Sequence, residues 1–299
     1  MSGNFGIRTD LAVESKEKYE KDNVEIKGVA IQEKYEEALD LNTTVVRIQT
    51  EQGAKAMEKP KGTYITMEAP NMSAPDEDYH REISQKLAEH LKSLMGEGEK
   101  SVLIVGLGNR DVTPDALGPY VVSNICITRH MIREFGTASL GEEQRNPVSG
   151  IVPGVMAQTG MECLEIIKGV VSEVKPDFVV TIDALAARST KRLGCTIQLT
   201  DTGIVPGSGV GNHRDGINHG NLGVPVIAIG IPTVIDAVTI VSDAVNASRE
   251  NTAKLMSPKL NGMFVTPKDI DETVKRLAGL LSEGINMAFS NDEYDDYSE

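Results

Sequence analysis

Hydrophobic positions along the chain follow two different patterns. Some stretches are short and almost wholly apolar, which is typical of strands covered on both faces. They fall at residues 101–105, 152–156, 178–187 and 224–229. Other stretches space apolar residues three or four positions apart, which is typical of helices with one buried face. They fall at residues 76–95, 117–135, 160–174, 233–245 and 270–289. Because strands and helices alternate, the sequence predicts an α/β fold with a mostly parallel sheet flanked by helices.

Three parts of the chain depart from this alternation. Near the N-terminus, residues 24–31, 43–50 and 62–69 are rich in β-forming side chains and predict three further strands. Residues 194–223 are rich in glycine, which predicts an excursion of loops and short β-segments folded over the site. The last segment, residues 291–299, holds five acidic side chains and predicts a disordered acidic tail.

The charge balance narrows the classes of partner. The 299 residues include 30 Lys and Arg against 44 Asp and Glu, a formal net charge of −14. Nucleic-acid binders rely on clustered cations, so this balance predicts no direct nucleic-acid partner. The N-terminus lacks the apolar core of a signal peptide, and no stretch approaches the roughly 20 apolar residues that span a bilayer. We therefore expect a cytoplasmic protein without a membrane partner.

Two aspartates follow or end predicted strands. Asp115 comes shortly after the apolar run at residues 101–105, and Asp183 lies inside the run at residues 178–187. Ligands and reacting groups gather at the C-terminal edge of an open parallel sheet, so the two side chains are candidates for one shared site. Carboxyl groups held close together share a proton, which suits peptide hydrolysis. An aspartate placed like Asp115 also caps helices, so both interpretations stay open on the residues alone.

Two short motifs invite other chemistry. Residues 106–109, Gly-Leu-Gly-Asn, follow a strand as in dinucleotide-binding folds, but Asp111 stands where the third glycine belongs. A tight turn with close backbone approach is therefore favoured over a nucleotide site. Residues 201–203, Asp-Thr-Gly, copy the tripeptide of pepsin-like proteases, yet the chain has no second copy. A plain turn is favoured there as well.

Metal binding is the main chemical alternative. The sequence has no Cys-x-x-Cys pair and no His-x-x-x-His pair, so it lacks a compact zinc motif. The three cysteines are expected to be small core residues of a reduced protein. His213 and His219 fall in the glycine-rich stretch, and with Asp115 and Asp183 they leave a metal-dependent peptidase open.

Five motifs together resemble the germination proteases of spore-forming bacteria. They lie at residues 8–12 (Arg-Thr-Asp-Leu-Ala), 106–118, 181–187 (Thr-Ile-Asp-Ala-Leu-Ala-Ala), 201–212 and 263–269. The likeness runs over nearly the whole chain. Residues 106–118 are also distantly similar to the hydrogenase-maturation peptidases, which use acidic residues at the places of Asp115 and Asp183 to hold nickel. That kinship implies a shared α/β fold.

The germination-protease resemblance implies an endopeptidase that begins the degradation of small acid-soluble spore proteins during germination, in the cytoplasm of the forespore or spore core. It further implies a homotetramer without a cofactor, and an atypical aspartic dyad of Asp115 and Asp183. The family has also been classed among metallopeptidases, so a metal-dependent peptidase using the same aspartates is the alternative. Asn109 is a candidate for supporting the transition state, where one placed donor is worth roughly 3 kcal/mol.

The resemblance also implies a zymogen that processes itself. Residues 6–14 match the segment at which family members lose a propeptide, and the match places the cut between Asp10 and Leu11. This predicts a propeptide of residues 1–10 and a peptidase domain of residues 11–299. Because so short and polar a terminal segment builds no domain of its own, we expect it to act locally.

Overall fold

One mixed sheet organises the computed structural model, which describes residues 11–14, 26–137, 146–207, 215–246, 260 and 262–290. In these residues the strands are β1 (Val29–Glu36), β2 (Leu41–Ile48), β3 (Gly62–Glu68), β4 (Val102–Gly106), β5 (Val148–Ile151), β6 (Phe178–Ala187), β7 (Thr196–Thr200), β8 (Val226–Asp236) and β9 (Phe264–Val265). The sheet order is β1-β2-β3-β7-β8-β6-β4-β5, and β9 pairs with β8.

Strand direction divides this sheet into two halves. Strands β5, β4, β6 and β8 pair in parallel and form the parallel half. Strands β1, β2, β3 and β7 pair antiparallel and form the antiparallel half, which joins the other through the antiparallel pair of β7 and β8. The predicted α/β sheet flanked by helices is confirmed, with its parallel pairing confined to one half.

Helices cover the two faces of the sheet unequally. The described residues form α1 (Glu51–Met57), α2 (Glu77–Met95), α3 (Leu117–Asn124), α4 (Arg129–Phe135), α5 (Met156–Thr159), α6 (Cys163–Val174), α7 (His219–Leu222), α8 (Ala237–Asn246) and α9 (Ile270–Phe289). The buried faces of α2, α3 and α9 form the larger core on one side of the sheet. Helix α6 forms a smaller core on the other side. No helix in the described ranges has the length and apolar character needed to cross a bilayer.

Alternate residues of β6 enter different cores, as the two-residue period of a strand requires. Val180 and Ile182 pack in the larger core with α2 and α9. Val179 packs against α6, and Leu185, further along the same face, packs in a separate small cluster. Asp183 therefore projects from the face that carries α6, away from the larger core.

Several element boundaries differ from the predictions. The predicted helix at residues 117–135 is two helices, because the intervening backbone bonds elsewhere: Cys126 N–H donates to Asn286 Oδ1 and Thr128 N–H to the carbonyl of Val148. The predicted strand at residues 152–156 instead occupies Val148–Ile151, where it pairs with β4. Strand β8 continues to Asp236, past the predicted helix start at residue 233, because β6 and β9 pair with this extension.

Candidate active site

The chain leaves β4 through a tight turn that folds back on the strand end. Gly108 has φ +107°, a conformation that favours glycine, and a Cβ there would collide with the carbonyl oxygen of Asp115. The N–H of Asn109 donates to that carbonyl oxygen at 3.1 Å and to the carboxylate Oδ2 of Asp115 at 2.8 Å. Asp115 is thereby fixed on the C-terminal end of β4.

Asp183 lies on the neighbouring strand at the same end of the sheet. The N–H of Leu107 donates to the carbonyl of Ile182 at 2.8 Å, so the turn after β4 begins beside the residue that precedes Asp183. Gly118, in the first turn of α3, packs so closely on both strands that a Cβ would lie 2.6 Å from the carbonyl oxygen of Ile182. The end of β4, which carries Asp115 on the following turn, therefore lies beside Asp183, and the two aspartates share this corner of β4 and β6.

The two carboxylates differ in their surroundings. Asp183 is 6% exposed, and its Oδ1 accepts the N–H of Ala184 at 2.9 Å. Asp115 is half-buried in the 3₁₀ turn Thr113–Asp115. The hydroxyl of Thr233 on β8 donates to the carbonyl of Pro114 at 2.7 Å, which ties the turn to a third strand. The N-cap residue of α3 is Ala116, so Asp115 does not occupy the N-cap position that its alternative role requires.

A polar rim borders the Asp115 turn. The amide oxygen of Asn109 accepts the N–H of Asp111 at 3.0 Å and Nε2 of Gln158 at 3.1 Å. Gln158 also donates to Asp111 Oδ2 at 3.3 Å. Because the Asn109 oxygen is used in this way, its amide nitrogen is the atom that can donate to a substrate. Sequence reasoning missed Gln158, which sits in the four-residue helix α5 and carries no motif.

Asp183 belongs to a row of residues that crosses the sheet. Gly230 on β8 pairs with Asp183 on one side and with Gln198 of β7 on the other. Residues paired across a sheet share a face, so Asp183 and Gln198 lie on the same side. The side chain of Leu185 fills the space above Gly230, since a Cβ there would lie 2.5 Å from Leu185 Cγ.

The first described residues, 11–14, pack on this face next to the row. Ala12 N–H donates to Gln198 Oε1 at 2.6 Å, and Leu11 packs in one cluster with Leu185, two residues beyond Asp183. Leu11 is fully buried. The first residue of the predicted mature chain therefore lies beside the strand that carries Asp183. Asp10 lies outside the described residues, so the cut before Leu11 stays a prediction.

The remaining glycine and aspartate motifs serve the backbone. Gly106 lies against the carbonyl of Gly118, which is the close approach that the turn interpretation expects. The side chain of Asp201 accepts the N–H of Thr63 at 2.7 Å and so joins β7 to β3, in keeping with a plain turn. Within the glycine-rich stretch Ile204 bridges to Ile217. Residues 208–214 lie outside the described residues, so a cover over the site stays a prediction.

Metal binding is the chemical alternative at this site, and the cysteines are expected to be small core residues. No group of three or more His, Cys, Asp or Glu in the described ranges is arranged to hold a metal ion. His219 is exposed on α7, and His213 lies outside the described ranges. The three cysteines are not disulfide-bonded. Burial raises the pKa of the Cys195 thiol to about 11, which keeps this thiol protonated and unreactive at neutral pH.

The matching family model and the relatives found by sequence carry the same name. The family model described as germination protease matches residues 7–248. A germination protease of Caldanaerobacter subterraneus subsp. tengcongensis is 47% identical over 311 aligned positions, covering 95% of this chain and 94% of the relative. A germination protease of Priestia megaterium is 49% identical over 252 positions, covering 81% of this chain and 67% of the relative. Among solved structures, a NiFe hydrogenase maturation protease, HycI from Thermococcus kodakarensis, covers 66% of this chain and 98% of its own, with a TM-score of 0.36 and 20% identity.

Proposed function

Because the chain belongs to the germination protease family, a family of peptidases, we propose that it is an endopeptidase with Asp115 and Asp183 as its catalytic pair. The observation that carries this proposal is the common corner of β4 and β6, to which the Asn109 turn and Gly118 bring the two residues. Reacting groups gather at such strand ends in open α/β sheets. The substrates we propose are the small acid-soluble spore proteins, cut first during germination in the forespore or spore core.

In the proposed mechanism the two carboxyl groups share one proton. The ionised group takes a proton from a water molecule that attacks the scissile carbonyl, and the protonated group gives its proton to the leaving amine. After each turnover the dyad returns to its starting state, with a single proton between the two groups. The dyad titrates as a coupled pair, so activity should show a pH optimum rather than a plateau.

The polar rim supplies a support for the developing oxyanion. The amide nitrogen of Asn109 is the group that we propose for this role, because Gln158 and Asp111 hold the amide oxygen. A preorganised donor of this kind stabilises a tetrahedral intermediate by roughly 3 kcal/mol. Gln158 then acts as a positioning residue for Asn109.

We propose that the chain is made as a zymogen that cuts itself between Asp10 and Leu11. Residues 11–14 are buried, so removal of residues 1–10 leaves their packing in place. The propeptide then acts on the site beside it without forming a domain. Assembly as a homotetramer, the state implied by the family resemblance, is part of the same proposal.

The proposal is tested with the processed protein and a purified small acid-soluble spore protein. Asp115→Asn and Asp183→Asn should each lower the rate of cleavage by about a hundredfold or more, since a positioned proton-transfer group contributes roughly 10²–10⁴. Asp201→Asn is the matched control, because Asp201 belongs to the protease-like tripeptide yet bonds the Thr63 backbone. Its variant should keep wild-type turnover.

Three outcomes would change the proposal. Near-wild-type turnover in either catalytic variant, with an unaltered thermal unfolding curve, would remove the dyad. A chelator that abolishes cleavage, with recovery on adding one divalent cation, would replace the aspartic mechanism by the metal-dependent one. Failure to cut the spore protein at all, together with cleavage of other proteins, would overturn only the substrate.

A further inference from the structure

The carboxylate of Glu14 lies in a pocket built by the loop that follows β6. Its oxygens accept the N–H of Arg188 at 3.1 and 3.0 Å and the N–H of Ser189 at 3.2 Å. The guanidinium Nη1 of Arg192 lies 3.3 Å from Oε1. Nε of Arg192 is in turn held by Glu68 at 2.8 Å. Glu14 is 1% exposed, so this is a desolvated charge with dedicated donors and not a surface ion pair.

A second contact holds the same segment by its backbone. Gln198 Oε1 accepts the N–H of Ala12 at 2.6 Å, on the face that Gln198 shares with Asp183. The two residues whose backbone N–H groups line the pocket, Arg188 and Ser189, come directly after β6, the strand that carries Asp183. The two contacts and the candidate catalytic carboxylate are thus fixed to β6 with its following loop and to β7, which β8 separates from β6.

These contacts fix the register of residues 11–14 on the sheet. A buried carboxylate is costly without its partners, so sliding the segment by one residue would strip Glu14 of every donor named above. The pocket therefore fixes the position of Leu11, and the peptide bond on the N-terminal side of Leu11 is the fourth before Glu14. That bond joins Asp10 to Leu11.

We propose that the Glu14 pocket and Gln198 form a clamp that determines where the chain cuts itself. The inference rests on the self-processing proposed above and adds its specificity: the cut site is selected by a carboxylate on its C-terminal side. Arg188, Ser189, Arg192 and Gln198 are positioning groups here, since none of them touches the reacting bond.

The test follows processing of the full-length chain over time and determines every new N-terminus by mass spectrometry. Glu14→Gln keeps the side-chain size and removes the charge, so processing should slow by roughly tenfold and give a mixture of termini around Leu11. Glu14→Asp keeps the charge with a shorter reach and should be intermediate. Glu51→Gln removes a 76% exposed carboxylate paired with Lys61 and should change neither rate nor terminus.

Each outcome decides between the proposals. A single Leu11 terminus, formed by folded Glu14→Gln at the wild-type rate, would overturn the clamp and leave self-processing intact. If Glu14→Gln unfolds, Glu14→Asp decides, because a folded Glu14→Asp protein with wild-type rate and terminus overturns the clamp equally. A wild-type chain that forms no Leu11 terminus would overturn the self-processing itself.

Discussion

The two halves of the sheet present different side chains on the face that carries Asp183. In the parallel half this face packs against α6 and is largely apolar, apart from Ser149, Thr181 and Asp183. In the antiparallel half a buried polar row crosses the same face: Thr44 pairs with Thr66, and Thr66 pairs with Gln198. The hydroxyls of Thr44 and Thr66 are buried without a hydrogen-bond partner in the described structure. The polar row then continues through Gly230 to Asp183.

This difference indicates that the two halves of the sheet have separate roles. Parallel strands bring chain reversals to one edge, and the reversal after β4 delivers Asp115 there. The antiparallel half has no such edge, and it contributes a surface on which residues 11–14 pack. Gln198 on β7 shows the arrangement most directly, since it bonds the backbone of Ala12. The comparison therefore predicts that substitutions in the parallel half lower the rate of cleavage. Substitutions in the antiparallel half should instead weaken the packing of residues 11–14.

The largest effect is expected for Arg192→Met, which should weaken the packing of residues 11–14. Arg192 is 8% exposed and pairs with both Glu14 and Glu68, so its loss leaves two carboxylates without their shared cation. The free energy of unfolding should fall by about 3–5 kcal/mol in urea titrations. Arg81→Met is the control, because Arg81 is exposed and 3.9 Å from Glu283, and its midpoint should barely move. If both variants unfolded at the same urea concentration, Arg192 would not be a strong stabiliser of residues 11–14.

Gly118→Ala should have the next largest effect and should disturb the corner of β4 and β6 that carries Asp115 and Asp183. The new methyl group would meet the carbonyl of Ile182 at 2.6 Å and the N–H nitrogen of Leu107 at 2.6 Å. Backbone atoms yield poorly, so unfolding should become easier by about 2–3 kcal/mol. Displacement of Asp115 should reduce turnover by about a hundredfold.

Gly169→Ala is the matched control for this substitution. Nothing lies within 4 Å of the added Cβ in α6, so the alanine should stabilise the helix by about 0.5–1 kcal/mol and leave turnover unchanged. Wild-type activity in the Gly118 variant would show that the start of α3 does not position the site.

Tyr64→Phe should have a smaller effect, confined to the antiparallel half. The buried hydroxyl of Tyr64 donates to the carbonyl of Pro60 at 2.9 Å, and its loss should cost about 1 kcal/mol. Burial raises the pKa of Tyr64 to about 12 from 10.0. The wild-type protein therefore keeps this contribution below pH 10 and loses it as the pH rises to 12, a loss that the Phe variant lacks. The exposed Tyr35, changed to Phe, should leave the unfolding midpoint unchanged.

The smallest effect is expected at His90 on α2, which belongs neither to the corner with Asp115 and Asp183 nor to the Glu14 pocket. Burial lowers the pKa of His90 below 6.5, so the folded state favours the neutral ring. The stability that this ring contributes is present above pH 6.5 and is lost as the pH falls below it. His90→Gln should flatten the dependence of unfolding free energy on pH in this acid range and leave turnover unchanged. A parallel curve to wild type would assign the acid sensitivity to other groups.

Elements with strong local patterns could be predicted from the sequence. The strand at residues 178–187 and the helix at residues 270–289 have the predicted bounds. The helix predicted from residue 76 begins at Glu77, with Asp76 accepting the N–H of Tyr79 at 3.1 Å. The family resemblance is confirmed by the match over residues 7–248. In each of these cases the residues that give the prediction lie within the strand, helix or motif that is predicted.

Elements decided by distant partners could not be predicted. The break after residue 124 depends on Asn286, which accepts the Cys126 N–H across 160 residues of sequence. At the site, the sequence predicted that Asp115 and Asp183 follow or end strands; Asp115 follows β4, whereas β6 continues past Asp183 to Ala187. It did not reveal the pocket for Glu14, because the donors from Arg188 onward are 174 or more residues away. Nothing in the pattern around Glu14 marks it as buried.

The burial of residues 11–14 has a kinetic consequence for the proposed zymogen. While the bond before Leu11 is intact, the propeptide is tethered to a segment anchored by buried side chains. Tethered groups meet their target at an effective concentration on the order of millimolar, so weak contacts suffice for inhibition. One hydrolysis replaces this local concentration by the far lower bulk concentration of a free ten-residue peptide. Dilution of the released peptide then makes activation practically irreversible. The fold of the remaining chain does not need to rearrange.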